Sequence, residues 1–253
     1  MKVPSTRYGL LNLDQVILYR AGEQDAETVF QSLLEIIDTG EISLCVLDSL
    51  GAMVSAQAYE KEIGERTYAG ISQALTVFSK KVAPICSKTG CIFLGINQIR
   101  ADLNSPYGGT IVTGGKAWQH SCSTRLSFRK GNYIDDKGAA LSRACENPAG
   151  NIVNVALEKS KVCPPDRKVG FYSLMYLDGI DHVSDAIEVG IKENLISAAG
   201  AWYTLVNAEG EPLYDAKTGD ILKFQGKAKL KQYFLDNPDF YDNFSKKLIE
   251  IIK

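Results

Sequence analysis

Residues 91–118 read CIFLGINQIRADLNSPYGGTIVTGGKAW, an apolar run that turns polar within a few positions. The six residues Cys91 to Ile96 are too few for a helix and are bounded by Lys88-Thr89-Gly90, so they predict a strand buried on both faces of a sheet. Asn97, Gln98 and Arg100 follow at its carboxyl end, and the chain then runs through a glycine-containing loop that closes on Gly114-Gly115. An amide and a guanidinium placed where a core strand ends suit a ligand site, because ligands collect at the carboxyl ends of parallel strands.

Working upstream, residues 66–87 predict a long helix containing Pro84, and residues 42–47 a second apolar strand ending in Asp48-Ser49. Residues 26–38 place Val29, Phe30, Leu33, Leu34, Ile36 and Ile37 at helical spacing, with Gly40 as a stop. Strand, long helix and strand make a βαβ unit, so the two strands are expected to be parallel. Downstream of Gly115 the pattern shortens to strands at 125–129, 152–157 and 171–176 between turn-rich links, which predicts antiparallel pairing. After about residue 178 the chain becomes helix-rich, and Asn237-Pro238 opens a last helix. The fold class expected is α/β, with a parallel sheet continued by antiparallel strands over 1–177 and a small α+β domain over 178–253.

Composition narrows the function classes. The 253 residues carry 28 Lys+Arg against 30 Asp+Glu, so no global charge favours a polyanion and any such site must be local. Six cysteines without a CxxC pair, and only two histidines, point to a reduced, cytoplasmic-type chain in which metal binding is not expected. The first residues contain no apolar stretch of signal-peptide length, and no segment approaches a membrane span.

Candidate residues then have two readings each. Asp48 at a strand end either holds a Mg²⁺-bound water or caps the following helix. Gly114-Gly115 ahead of Lys116 either forms a backbone anion cradle or is a flexible turn; the run from Gly109 to Lys116 is not a GxxxxGK[ST] loop, since its glycine spacing is one too long and Ala117 has no hydroxyl. Gln98 and Arg100 suit a terminal phosphate and a phosphodiester, or are a capping amide and a solvated arginine. Lys159 and Lys161, two apart, share one face of a strand end and suit phosphates or an edge exposed to solvent.

Taken in order, LCVLDSLGAMV, EKEIG, FLGINQIR, TGGKAWQHSCSTRLSFRKG, LEKSKVCPP and DAIEVGIKENLISAAGAWYTL resemble the RecA family of strand-exchange recombinases across nearly the whole chain. The closing block looks bacterial in type and the TGGKAW block more archaeal or eukaryotic, a mixture that suits a phage or mobile-element recombinase. The resemblance implies DNA recombination and repair, with ATP and Mg²⁺ as cofactors, single-stranded DNA as partner and assembly into a homo-oligomeric filament. It implies that Asp48 is the Walker B aspartate, holding Mg²⁺ through water, with Ser49 beside it. Gln98 becomes the γ-phosphate sensor, and residues 99–113 the second of two DNA-binding loops. Arg100, Gly114, Gly115 and Lys116 are then DNA contacts, as is Arg66 in a first loop at 62–70. Lys159, Lys161 and His120 would reach ATP on a neighbouring subunit.

In the family the Walker A loop and the catalytic glutamate precede the part matched here, so no catalytic residue is assigned. Two expectations follow: a recombinase portion that works with a separate N-terminal complement, or a non-catalytic DNA-binding paralogue. Residues 221–253 hold seven lysines against four acids, a modest footprint for duplex DNA.

Overall fold

A computed structural model describes residues 15–20, 24–60, 70–101, 109–142, 145–164, 168–215 and 218–252. The chain forms two compact units, one of residues 16–125 with 159–162 and the other containing residues 126–158 and 163–253.

In the first unit, helix α1 (Ala26–Asp38) starts where Asp25 accepts the Thr28 N–H at 2.8 Å and the Thr28 hydroxyl at 3.0 Å, an N-cap that satisfies an otherwise orphaned amide. Strand β1 (Leu44–Asp48) leads through a 3₁₀ turn (Leu50–Ala52) and helix α2 (Ala56–Tyr59) to helix α3 (Gly70–Thr89), which contains Pro84, and then to strand β2 (Ile92–Ile96). β1 and β2 pair in parallel, with Leu44 opposite Ile92 and Asp48 opposite Ile96. The expected βαβ unit is therefore present. Strands β3 (Ile99–Ala101) and β4 (Thr110–Val112) form an antiparallel ribbon ahead of helix α4 (Gly115–Ser121).

A chain of aromatic rings ties these layers together. Phe30 of α1 stacks on Phe78 of α3 at 4.6 Å, Phe78 meets Phe93 of β2 edge-on at 5.2 Å, and Phe93 meets Trp118 of α4 at 6.0 Å. Gly95 gives Trp118 its seat: a Cβ at that position would lie 2.8 Å from the indole. Cys45 and Cys91 are buried in the same core, and burial, with Cys91 and Cys86 adding, pushes the Cys45 thiol up to about 11, so it packs as a small hydrophobe.

The expectation that the 91–96 strand is buried on both faces is corrected. Only the side of the β1–β2 pair carrying Cys45, Leu47, Phe93 and Gly95 is packed; Leu44 (55% exposed), Val46 (50%), Ile92 (65%), Leu94 (45%) and Ile96 (40%) face outward. Among the described residues, the helices that share a core with this pair pack on one side, so alternate residues, which point to opposite faces of a strand, divide into covered and uncovered sets.

In the second unit, strands β5 (Thr124–Ile134), β6 (Gly150–Ser160), β7 (Val169–Met175) and β8 (Gly179–Ile180) form a four-stranded sheet in that order. β6 is antiparallel to β7, and β7 to β8, as the short alternating segments predict. Helix α5 (His182–Lys192), strands β9 (Ile196–Ala199), β10 (Trp202–Leu205) and β11 (Lys223–Gln225), and helices α6 (Lys227–Asp236) and α7 (Pro238–Ile252) complete it. Their core gathers Ile187, Ile196, Leu205, Leu230 and Phe234, which are almost fully buried, with Phe244 and Leu248. Asp181 caps α5 through the Ser184 N–H at 3.1 Å and also receives Lys231 of α6 at 2.5 Å, fastening two helices at one carboxylate.

Candidate functional site

Parallel pairing places the carboxyl ends of β1 and β2 side by side, so Asp48 lies opposite Ile96 and Gln98 follows two residues later. Asp48 and Gln98 are exposed, whereas Ser49 is buried; the Asp48–Ser49 peptide is cis. The 3₁₀ turn after Ser49 brings Gly51 against the other strand end, where a Cβ on it would lie 3.3 Å from Asn97 Oδ1 and 3.7 Å from Thr113 Oγ1.

Asn97 organises this end of the sheet. Its Nδ2 donates to the Thr113 carbonyl at 2.7 Å, while its Oδ1 accepts the Gln98 N–H at 2.9 Å. The side chain thus holds the backbone of Gln98 and the far end of the loop sixteen residues on. Gly114 follows at once with φ +99°, and Gly115 with φ +77°, a left-handed pair that glycine adopts without Cβ strain. Gly114 is buried against Leu75: a Cβ there would stand 2.5 Å from Leu75 Cδ1. α4 starts at Gly115 and carries Lys116 exposed in its first turn.

Of the residues singled out from sequence, Asp48, Ser49, Gln98, Gly114, Gly115 and Lys116 are brought together at this end of the sheet. Arg100 leaves it along the β3–β4 ribbon, exposed and opposite Ile111. The loop of residues 99–113 thus begins and ends as paired strands; positions 102–108, like Arg66 and most of the 62–70 loop, lie outside the described residues.

Lys159, Lys161 and His120 form a second group. The Lys159 ammonium donates to the carbonyls of Gln119 at 3.2 Å and His120 at 2.5 Å, satisfying the carboxyl end of α4 where helix carbonyls lack intrahelical partners. Lys161 is exposed and its N–H bonds Ser123 O at 3.0 Å; His120 is exposed in the last turn of α4. Asn97 was missed as a site residue from sequence, because next to Gln98 it reads as one more polar residue; its only signal is an amide at the position before Gln98.

The residues fit ATP–Mg²⁺ in part. An exposed carboxylate and amide at adjoining parallel strand ends suit a metal-bound water and a terminal phosphate, but among the described residues no three His, Cys, Asp or Glu side chains gather as a metal site. The sequence also contains no GxxxxGK[ST] cradle for the inner phosphates.

The RecA N-terminal domain family model matches residues 7–181. Protein RecA of Paracoccus denitrificans is 30% identical over 236 residues, covering 90% of this chain and 58% of that protein. Protein RecA of Ehrlichia ruminantium is 31% identical over 214 residues, covering 84% and 54%. A crystal structure of the RadB recombinase is similar at TM-score 0.38 and 18% identity, covering 61% of this chain and 57% of that one. The chain thus spans little more than half the length of these RecA proteins. With the family model matching over two thirds of its residues, and with its parallel strand ends, ribbon and glycine pair in the expected order, the chain belongs to the RecA family.

Proposed function

We propose that this chain is the nucleotide-sensing and DNA-holding portion of a RecA-type recombinase, acting in DNA recombination and repair by binding single-stranded DNA for ATP-dependent strand exchange. The observation that carries this reading is the Asn97 bridge, which makes Gln98 and the closing glycine pair of the loop parts of one hydrogen-bonded unit. A contact made by Gln98 is thereby transmitted to the base of the ribbon. In this reading Asp48, with Ser49 beside it, faces a Mg²⁺-bound water, Gln98 the γ-phosphate, and Arg66, Arg100, Gly114, Gly115 and Lys116 the DNA backbone. Lys161 and His120 reach nucleotide held by a neighbouring subunit in a filament. Lys159 does so by exchanging its hold on the α4 carbonyls. The phosphate cradle and catalytic glutamate belong to the part of a RecA-type protein that this chain does not span, its N-terminal complement.

The same reading assigns residues 178–253 to a C-terminal domain, supported by a core whose buried members all fall between Ala186 and Leu248. Duplex DNA contact there rests on Lys223, Lys229, Lys246 and Lys247, since Lys227 and Lys231 are engaged by Glu188 and Asp181.

Fluorescence anisotropy with labelled single-stranded DNA across a salt titration, with and without ATP–Mg²⁺, tests the proposal. Expected is salt-dependent binding in which Arg100→Ala and Lys116→Ala each reduce the salt slope by about 1. Absence of DNA binding at low salt in both conditions would overturn it, and binding indifferent to ATP–Mg²⁺ even with the complement present would favour a non-catalytic paralogue.

A further inference from the structure

Three thiols collect at one corner of the first core, where α3 ends and β2 begins. Cys45 of β1 and Cys91, the residue before β2, are buried, and Cys86 in the last turn of α3 packs half-buried against the same core. The backbone fixes the turn between Cys86 and Cys91: Gly90 adopts φ +76° and its N–H bonds the Cys86 carbonyl at 2.9 Å, a left-handed cap that folds the chain back on the last helical turn. Such a cap sets the residue after the glycine against the helix residue whose carbonyl it closes, a place commonly filled by two apolar side chains. Here both are cysteines, and their side chains interact directly. The Cys91 N–H also bonds the Thr89 hydroxyl at 3.4 Å, which holds it at the turn.

We infer that Cys86 and Cys91 are a redox pair: a hydroperoxide oxidises them to a disulfide that fastens the carboxyl end of α3 to the start of β2, and a dithiol reductant restores them. Cys86, the more exposed of the two, attacks one peroxide oxygen; the O–O bond breaks, water leaves and Cys86 carries a sulfenic acid. The Cys91 sulfur then attacks the Cys86 sulfur, the S–S bond forms as the S–O bond breaks, and the departing oxygen takes up the thiol proton as a second water. Two electrons and two protons thus pass from the thiols to one peroxide. Burial, with the Cys91 thiol adding, pushes the Cys86 thiol up, so little thiolate is present at neutral pH and the pair reacts slowly until pH rises.

Cys45 is not the partner. It lies opposite Phe93 in the parallel pair, so Cys91 is one strand across and two residues back. A strand spacing of ~4.8 Å and a rise of ~3.3 Å per residue put their Cα atoms about 8 Å apart, beyond the ~7 Å that a disulfide spans. The cross-link acts on the strand whose other end leads to Asn97 and Gln98, and it stands whether or not the recombinase reading does.

The test treats the chain carrying Cys145→Ser and Cys163→Ser with hydrogen peroxide and reads intact mass, tryptic peptides and amide hydrogen exchange. Cleavage after Lys81, Lys88 and Arg100 separates the two cysteines, so a bond joining peptides 82–88 and 89–100 identifies the pair. Expected are a mass loss of two hydrogens reversed by dithiothreitol, that peptide pair, and a rate that rises about tenfold from pH 7 to pH 8. Exchange over residues 87–92 should slow at least tenfold in the oxidised form. Cys45→Ser should leave the bond in place, and Cys86→Ser should abolish it. No bond at pH 8, a bond from Cys45 to Cys91, or sulfinic acid at Cys86 without a bond would overturn the proposal. A bond that forms as fast in denaturing urea, or one that leaves exchange over 87–92 unchanged, would do so too.

Discussion

Asn97 Nδ2 lies 2.7 Å from the carbonyl oxygen of Thr113, so the end of a core strand and the end of the loop that follows it are joined by one side chain. Replacing Asn97 with Ala leaves the half-buried Thr113 carbonyl and the Gln98 N–H to find other partners, a loss of about 1–2 kcal/mol. Asn97→Asp keeps the acceptor for Gln98 but loses the donor to Thr113, so it should release the loop end without freeing the strand end. Hydrogen exchange over residues 97–101 and 109–115 checks this: Ala should accelerate both stretches, and Asp mainly the second.

Gly95 is predicted to tolerate no side chain. An added methyl would stand 2.8 Å from the Trp118 ring and 3.0 Å from Leu50, and such overpacking costs about 1–3 kcal/mol. Urea unfolding of Gly95→Ala should show the loss, and Trp118→Leu in the same background should recover part of it. Equal destabilisation in the single and double variants would refute the contact as the cause.

At the glycine pair, Gly114→Ala should be worse than Gly115→Ala. Both force a left-handed backbone on a residue with a Cβ, but only at 114 does that Cβ also strike Leu75, at 2.5 Å, whereas at 115 its nearest neighbour is Ser72 at 3.5 Å. Thermal unfolding of the two variants and of Gly114→Ala with Leu75→Ala measures the difference; in the double variant the backbone strain persists while the clash is relieved.

Lys159→Met should lower stability by about 1 kcal/mol, because it strips the carbonyls of Gln119 and His120 of their donor, while Lys161→Met, at an exposed side chain, should not. Urea midpoints of the two variants decide this, and equal values would show that the capping contact contributes nothing measurable.

Acid should weaken the C-terminal elements through Asp181. Burial raises its pKa, but hydrogen bonds from Lys231 and Ser184 outweigh burial and hold it below the ordinary 3.8. With the folded value depressed, its stabilisation is fully present above the unfolded value and is lost as pH falls through the folded one. Asp185 works in the opposite sense: burial raises it, against His182 and with Glu188 and Asp181, so its contribution is full below 3.8 and is lost as pH rises through its folded value. Asp181→Asn should therefore cost stability at neutral pH and flatten the decline below about pH 4, measured as urea midpoints from acid to neutral pH.

Sequence reasoning read local signals well and distant ones poorly. α1 was legible because its apolar spacing and Gly40 stop lie within a few residues of one another. The parallel pair was legible because a helix of twenty residues separates two apolar runs. The exposed face was not, since the apolar character of Leu44, Val46, Ile92, Leu94 and Ile96 marks a strand without telling which of its faces the described helices cover. The hold of Lys159 on the α4 carbonyls was not legible, because two lysines at a strand end carry no mark of helix carbonyls nearly forty residues away. The Asn97–Thr113 bond left no mark either, as its partner is a backbone oxygen whose residue type is irrelevant.

The two hydrophobic cores share no residue, and the chain's two tryptophans divide between the units: Trp118 is buried among the aromatic rings of the first, and Trp202 lies 43% exposed on β10 with the Lys223 ammonium 5.0 Å from its ring. Each half of the molecule thus carries its own built-in lamp. Trp118 should emit to the blue of Trp202, and a single emission spectrum followed through denaturation would record, in two colours, which half gives way first.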